Sequence, residues 1–416
     1  MFDDKRAYRI ICEAEEALRD IFREHDEKAL INQQRVLSAM QKHRLAERHF
    51  ASSTGYGYND EGRDITEAIY ADVFGAEKAL VRPHIVSGTH AIWLSLTGLL
   101  RPGDNFVSAT GAPYDTIYSN IGVTDSFTGM GTLREFGIEY RQCDLTEKGE
   151  VDYPALRGMI DGSTKMVYVQ RSTGYSLRDA ITVDTIADIV RAVKEIREDI
   201  IVFVDNCYGE FIDTVDPTGV GADVMAGSLI KNPGGGLAQS GGYICGKEKY
   251  VDMIASRLTA PSIAYEVGAS LGTTRSYLQG LFLAPSVVNN AVRGAVLTAK
   301  VMEGLGYEVF PGPSSPRSDI IQAIVFNDPQ KVLDYCAAIQ SSSPVDSYVT
   351  PEAWDMPGYD EPVVMAAGNF IQGSSIELSA DSPMRAPYVV YQQGGLTYEH
   401  VKIALYEALK KLLAER

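Results

Sequence analysis

Cysteine is scarce in this 416-residue chain, which has five in all (Cys12, Cys143, Cys207, Cys245 and Cys336). They are scattered and odd in number, with no CxxC or paired spacing, which argues against a disulfide framework or a zinc site. The six histidines are equally dispersed, with no HxxxH or HExxH pattern. No apolar run approaches the ~20 residues that a membrane span requires. Basic charge is also in deficit: 38 Lys+Arg stand against 55 Asp+Glu, a net charge of −17. With no basic cluster to offset it, that balance repels phosphate backbones and excludes nucleic acid as a partner. The first twenty residues are acidic and helical in pattern, unlike a secretory signal. These absences together predict a soluble, cytoplasmic protein whose chemistry needs no protein-held metal.

What is present is an ordinary globular mixture, 45% hydrophobic and 22% charged. That is enough apolar material to offset chain entropy. Helix-type periodicity runs through residues 4–49, and a turn-rich stretch follows at 52–62 that nevertheless contains Tyr56 and Tyr58. From 63 to 250, short apolar runs alternate with helical patterns. Strands are expected at 79–82, 105–108, 139–141, 165–169, 200–204 and 228–230, and helices at 89–100, 153–160 and 181–197. This alternation predicts an α/β fold with a mostly parallel sheet covered by helices. A long helical pattern at 281–305 leads to strand-like runs at 307–310, 320–326 and 376–378, then to a closing helix at 398–414. We therefore divide the chain into N-terminal helices with a loop (1–62), a large α/β domain (63–290) and a smaller α+β domain (291–416).

Three local signals fall at the ends of expected strands, the edge where open α/β sheets bind ligands. Val-Ser-Gly-Thr-His-Ala (86–91) places Ser87, Gly88 and Thr89 at a helix start, where backbone N–H groups and the helix dipole favour an anion. Serine and threonine are also ordinary helix caps, and a histidine such as His90 is commonly just a satisfied polar group there. Val-Asp-Asn-Cys-Tyr-Gly-Glu (204–210) puts Asp205 at the end of the most hydrophobic strand. A desolvated acid there calls for a metal, an arginine or a protonated ring nitrogen, unless it merely caps a turn. Ala-Gly-Ser-Leu-Ile-Lys-Asn-Pro-Gly-Gly-Gly (226–236) sets Lys231 after an apolar run and before three glycines. Desolvation makes such an amine usable as an imine-forming nucleophile. A phosphate-cradling nucleotide loop does not fit, because its glycines precede the lysine.

In combination these signals resemble the aspartate-aminotransferase-like class of pyridoxal-phosphate enzymes (fold type I, with a seven-stranded sheet). Several further segments narrow the resemblance: Gly-Tyr-Gly-Tyr-Asn-Asp (55–60), Ala-Pro-Tyr-Asp-Thr (112–116), Gln-Arg-Ser (170–172) and Gln-Gln-Gly-Gly-Leu-Thr-Tyr-Glu-His (392–400). With these the chain resembles, over roughly 50–400, the methionine gamma-lyase-related aluminium-resistance group of the cystathionine and methionine branch. The resemblance implies pyridoxal 5'-phosphate as cofactor. Its phosphate would lie at Ser87, Gly88, Thr89 and Ser228, its ring nitrogen at Asp205, and its imine at Lys231. It also implies a ring of Tyr114 over the cofactor, and Tyr58, with Tyr56 as a rival, donated to a neighbouring subunit in a homodimer or homotetramer with shared active sites. Arg385 is the expected clamp for the substrate carboxylate. Arg171 is its competitor, although cystathionine-type lyases have an asparagine-containing motif there.

The implied activity is carbon–sulfur cleavage of a sulfur amino acid to a thiol, a 2-oxo acid and ammonia, with Lys231 and Tyr114 as catalytic residues. Transamination, γ-replacement and cofactor binding without turnover are the alternatives. No residue in the sequence reads the sulfur.

Overall fold

A computed structural model describes residues 3–355 and 361–414. Seven strands form the larger sheet: β1 (Lys78–Arg82), β2 (Asn105–Ser108), β3 (Glu139–Gln142), β4 (Thr164–Gln170), β5 (Ile201–Asp205), β6 (Val224–Ser228) and β7 (Gly242–Gly246). They lie in the order β1-β7-β6-β5-β4-β2-β3. β3, β2, β4, β5 and β6 run parallel, whereas β7 is antiparallel to both β6 and β1. β5 is buried along its whole length, as its unbroken apolar sequence requires of a strand covered on both faces.

Alternation along the strands divides the core in two. Val202 and Val204 face one side, with Val107, Val167 and Met225, and meet the N-terminal helices and the helix Thr274–Gly304. Ile201 and Phe203 face the other, with Phe106, Met166 and Ile244, against the helices Gly88–Leu99 and Glu248–Leu258. The helix Thr274–Gly304 is long and apolar enough by composition to cross a membrane, but most of that stretch is buried inside the protein.

A second sheet is antiparallel throughout: β8 (Glu308–Phe310), β9 (Ile321–Val325), β10 (Val363–Ala366), β11 (Ser379–Pro383) and β12 (Val389–Gln393), in the order β10-β11-β12-β9-β8. The helices Pro329–Ser341 and Tyr398–Ala414 pack together beside it.

Two expected strands are displaced. Of the run at 228–230 only Ser228 lies in β6, because the strand is built from the preceding Val-Met-Ala-Gly and the apolar Leu229 and Ile230 form the turn beyond it. The run at 376–378 is likewise a turn, and its strand begins at Ser379. β7, β10 and β12 were not foreseen.

Candidate active site

β5 and β6 end side by side, with Asp205 opposite Ala226 in the register. Beyond them a cavity of about 290 Å3 opens toward the second sheet. Ser87 caps the helix Gly88–Leu99 by accepting a hydrogen bond from the His90 N–H at 3.1 Å, and this brings the helix start to the cavity wall. Gly88 lies in close contact: a Cβ there would sit 3.3 Å from both Cys207 Sγ and Ser228 Cβ and would press on both. Thr89 pairs its hydroxyl with Thr116 at 3.0 Å.

Asp205 is 5% exposed. Its Oδ1 accepts from the Cys207 N–H at 3.1 Å and its Oδ2 from the Tyr168 hydroxyl at 3.4 Å. Burial raises its pKa, opposed by the nearby Lys231 and these hydrogen bonds. The chain then turns sharply. Tyr208 adopts φ +72°, an unusual region for an aromatic residue and one that clusters at functional sites. Its ring lies under the Lys231 amine, 4.0 Å from Nζ, and its hydroxyl meets Ser375 at 3.0 Å. Burial lowers the Lys231 pKa, but the acidic groups around it, Cys207, Tyr208, Asp205 and Glu210, oppose that and raise it overall, so desolvation does not free the amine here as the sequence led us to expect.

The lysine loop is held from behind by backbone-to-backbone contact. The turn Asn232–Gly234 presses on the helix Thr274–Gly304 so tightly that a Cβ on Gly280 would lie 2.2 Å from Gly234 O. Asn232 donates to the carbonyls of Tyr208 and Glu210 at 2.9 and 3.0 Å, which ties this loop to the one after β5.

Of the expected site residues, Ser87, Gly88, Thr89, Tyr114, Asp205, Ser228 and Lys231 all line the one cavity. Tyr114 begins an aromatic series across it: Tyr114 and Tyr175 centroids are 6.3 Å apart, Tyr175 and Tyr391 5.0 Å. Tyr56 and Tyr58 do not line it. Their rings stack at 5.5 Å and are exposed, on a loop anchored by Arg63 to Gly57 O and by Asp60 to Ser270 N–H.

The two arginines assigned to the substrate carboxylate lie elsewhere. Arg171 is fully buried and spends its guanidinium on Ser318, Asn206, Gly209 O and Asp213, so it works as an internal brace. Arg385 is exposed and pairs with Glu361 at 3.2 Å. Lys231 is the only basic side chain among the described residues lining the cavity.

Sequence reasoning passed over Cys207 and Tyr208, although both stand within three residues of Asp205 in the motif it singled out. It also missed Tyr175, Asp381, Tyr391 and Gln393, which line the cavity from elements distant in the chain.

Comparison with known proteins identifies the family. The methionine gamma-lyase family profile matches residues 7–413. The protein YnbB of Bacillus subtilis is 50% identical over 404 residues, covering 97% of this chain and 96% of that one. A crystal structure of a carbon-sulfur lyase involved in aluminum resistance from Clostridium novyi superposes with a TM-score of 0.95 at 48% identity, covering 98% of this chain and 96% of that one. A pyridoxal-5'-phosphate dependent protein of Escherichia coli, YhfS, shares the fold at 17% identity, with a TM-score of 0.62 and coverage of 92% and 96%. The chain therefore has the architecture of fold type I enzymes and belongs to the methionine gamma-lyase family, a carbon–sulfur lyase kind.

Proposed function

We propose that the protein binds pyridoxal 5'-phosphate and uses it to break a carbon–sulfur bond in a sulfur amino acid, releasing a thiol, a 2-oxo acid and ammonia with consumption of one water. The observation that carries this reading is the convergence of a helix start, a buried carboxylate and a lysine amine on one cavity. These residues fit the group. The hydroxyls of Ser87, Thr89 and Ser228 and the positive end of the helix Gly88–Leu99 suit a phosphate dianion. Asp205 provides the negative charge that a protonated ring nitrogen needs, and Tyr114 provides a flat face.

When bound, the cofactor supplies an aldehyde for the substrate amine and an electron-withdrawing ring that acidifies the substrate Cα. The protein supplies the rest. Lys231, at the cavity floor, is the base positioned to take the Cα proton and return it elsewhere. Tyr208 and Asn232 fix the loop from which that amine reaches. The Tyr114, Tyr175 and Tyr391 rings line one side of the cavity.

The same reading makes the exposed Tyr56–Tyr58 pair a contribution to a second subunit's phosphate in a homodimer or homotetramer. In support, the loop that presents the pair is rigidly anchored, and the cavity lining has no arginine of its own among the described residues. Incubation with L-cystathionine, L-methionine and S-alkyl-L-cysteines, with and without added cofactor, tests the proposal. It requires 2-oxo acid and thiol in equal amounts from at least one of them. Amino-group exchange without thiol release would instead mark transamination.

A further inference from the structure

The second sheet turns one face to the cavity. In its pleated register Met365, Asp381 and Tyr391 lie side by side on β10, β11 and β12, and Ser379 and Gln393 form the neighbouring row with Ile321 on β9. All six line the cavity. Five are neutral. The sixth, Asp381, is 6% exposed, and a carboxylate there is costly unless something answers it. The carboxylate is answered in part by the Tyr175 hydroxyl and by Gln393, whose Nε2 donates to Oδ2 at 3.2 Å, while Oδ1 is buried with no hydrogen-bond partner. The proposed cofactor chemistry assigns this group no role: its charged residues, Asp205 and Lys231, come from the end of β5 and the turn after β6 in the larger sheet.

We propose that Asp381 is a specificity-determining residue that receives a second ammonium group at the far end of the substrate side chain. This rests on the reading that the cavity takes a sulfur amino acid, and it narrows that class to diamino thioethers over uncharged ones such as methionine. The fold has already removed this carboxylate from water, so a cation reaching Oδ1 meets a strong, poorly screened partner. The surrounding Met365, Tyr391 and Ile321 side chains accommodate the methylenes leading to it.

The titratable groups facing Asp381 are Tyr175, Tyr208, Tyr391 and Cys336. Burial raises the last three, so they stay neutral at pH 7. Asp381 itself is pushed up to about 7 by burial, against the pull of Tyr175 and Gln393. A bound cation selects its ionised form, so the preference strengthens as pH rises toward 7 and levels off above it.

The test uses the isosteric pair S-(2-aminoethyl)-L-cysteine and S-propyl-L-cysteine, which differ by an ammonium in place of a methyl. The corresponding homocysteine pair covers γ cleavage. The proposal requires kcat/KM to favour the ammonium member by about ten-fold or more, as expected for a charged hydrogen bond. In Asp381→Asn the two members converge through loss of the ammonium-bearing one, and the pH dependence of their ratio disappears. Equal turnover of the pair by the native protein, or an equal loss of both in the variant, overturns it. Binding of the non-thioether analogues L-lysine and L-2-aminoheptanoate, measured by calorimetry, separates this inference from the lyase reading. Tighter binding of L-lysine supports the role of Asp381 even if no thioether is cleaved, and equal or absent binding contradicts it.

Discussion

Arg171 and Arg385 look equivalent as letters in a sequence and are opposite as physical objects. Arg171 has no exposed surface and four hydrogen-bond partners, Ser318, Asn206, Gly209 O and Asp213. Arg171→Ala leaves the Gly209 carbonyl and the Asn206 side-chain oxygen buried without that donor, while Asp213 keeps Lys28, and should cost ~2–5 kcal/mol in denaturant unfolding. Arg385→Ala removes one exposed pair with Glu361 and should cost less than about 1 kcal/mol by the same measurement.

Glu210 supplies a pH-dependent counterpart. It accepts from the Tyr243 hydroxyl at 2.6 Å, its second oxygen is buried without a partner, and burial pushes its pKa up to about 8. Between the carboxyl's ordinary range near ~4.3 and that raised value, the folded protein holds a proton that the unfolded chain releases. Its contribution to stability is therefore complete below that window and is lost as pH rises through it. Glu210→Gln should gain in Tm relative to the native protein between pH 5 and pH 8. A constant difference would show that the carboxyl ionises normally.

At the scale of elements, the parallel strands were legible because burial on both faces leaves an unbroken apolar run. The expected 105–108 coincides with β2, and 200–204 falls one residue from β5. β6 and β7 lacked that signal, since Val-Met-Ala-Gly-Ser and Gly-Tyr-Ile-Cys-Gly carry small residues where neighbouring backbone and side chains come close. At Gly227 a Cβ would meet Tyr243 and Glu210 within 3 Å. The half of the cavity that we propose holds the cofactor could be picked out in the sequence for a related reason: each of its parts sits at a strand end or helix start with a local signature. The second-sheet half could not. Met365, Asp381 and Tyr391 become neighbours only through antiparallel register, which no local pattern announces. The contact between the lysine loop and the long helix is equally invisible, and it has a consequence for substitution. Gly280→Ala forces the helix and the Asn232–Gly234 turn apart. It should cost about 1–3 kcal/mol in stability and weaken cofactor affinity in equilibrium dialysis. Unchanged affinity would mean that the lysine loop is positioned without this contact.

At the scale of the molecule, two sheets of different design meet at one cavity. The larger places the Asp205 carboxylate and the Lys231 amine at its edge, and the smaller places Met365, Asp381 and Tyr391 there. If Tyr58 serves a neighbouring subunit, neither Lys231→Ala nor Tyr58→Ala is defective at every site of a mixed assembly. Mixing the two inactive variants under exchange conditions should restore a fraction of the activity, and no recovery would place Tyr58 outside the site. The account as a whole turns on the attachment point of the cofactor. Borohydride reduction of the purified protein followed by peptide mass spectrometry should find a phosphopyridoxyl group on Lys231, absent in Lys231→Ala. A protein that takes up no pyridoxal 5'-phosphate, or carries the reduced group on another lysine, would contradict it.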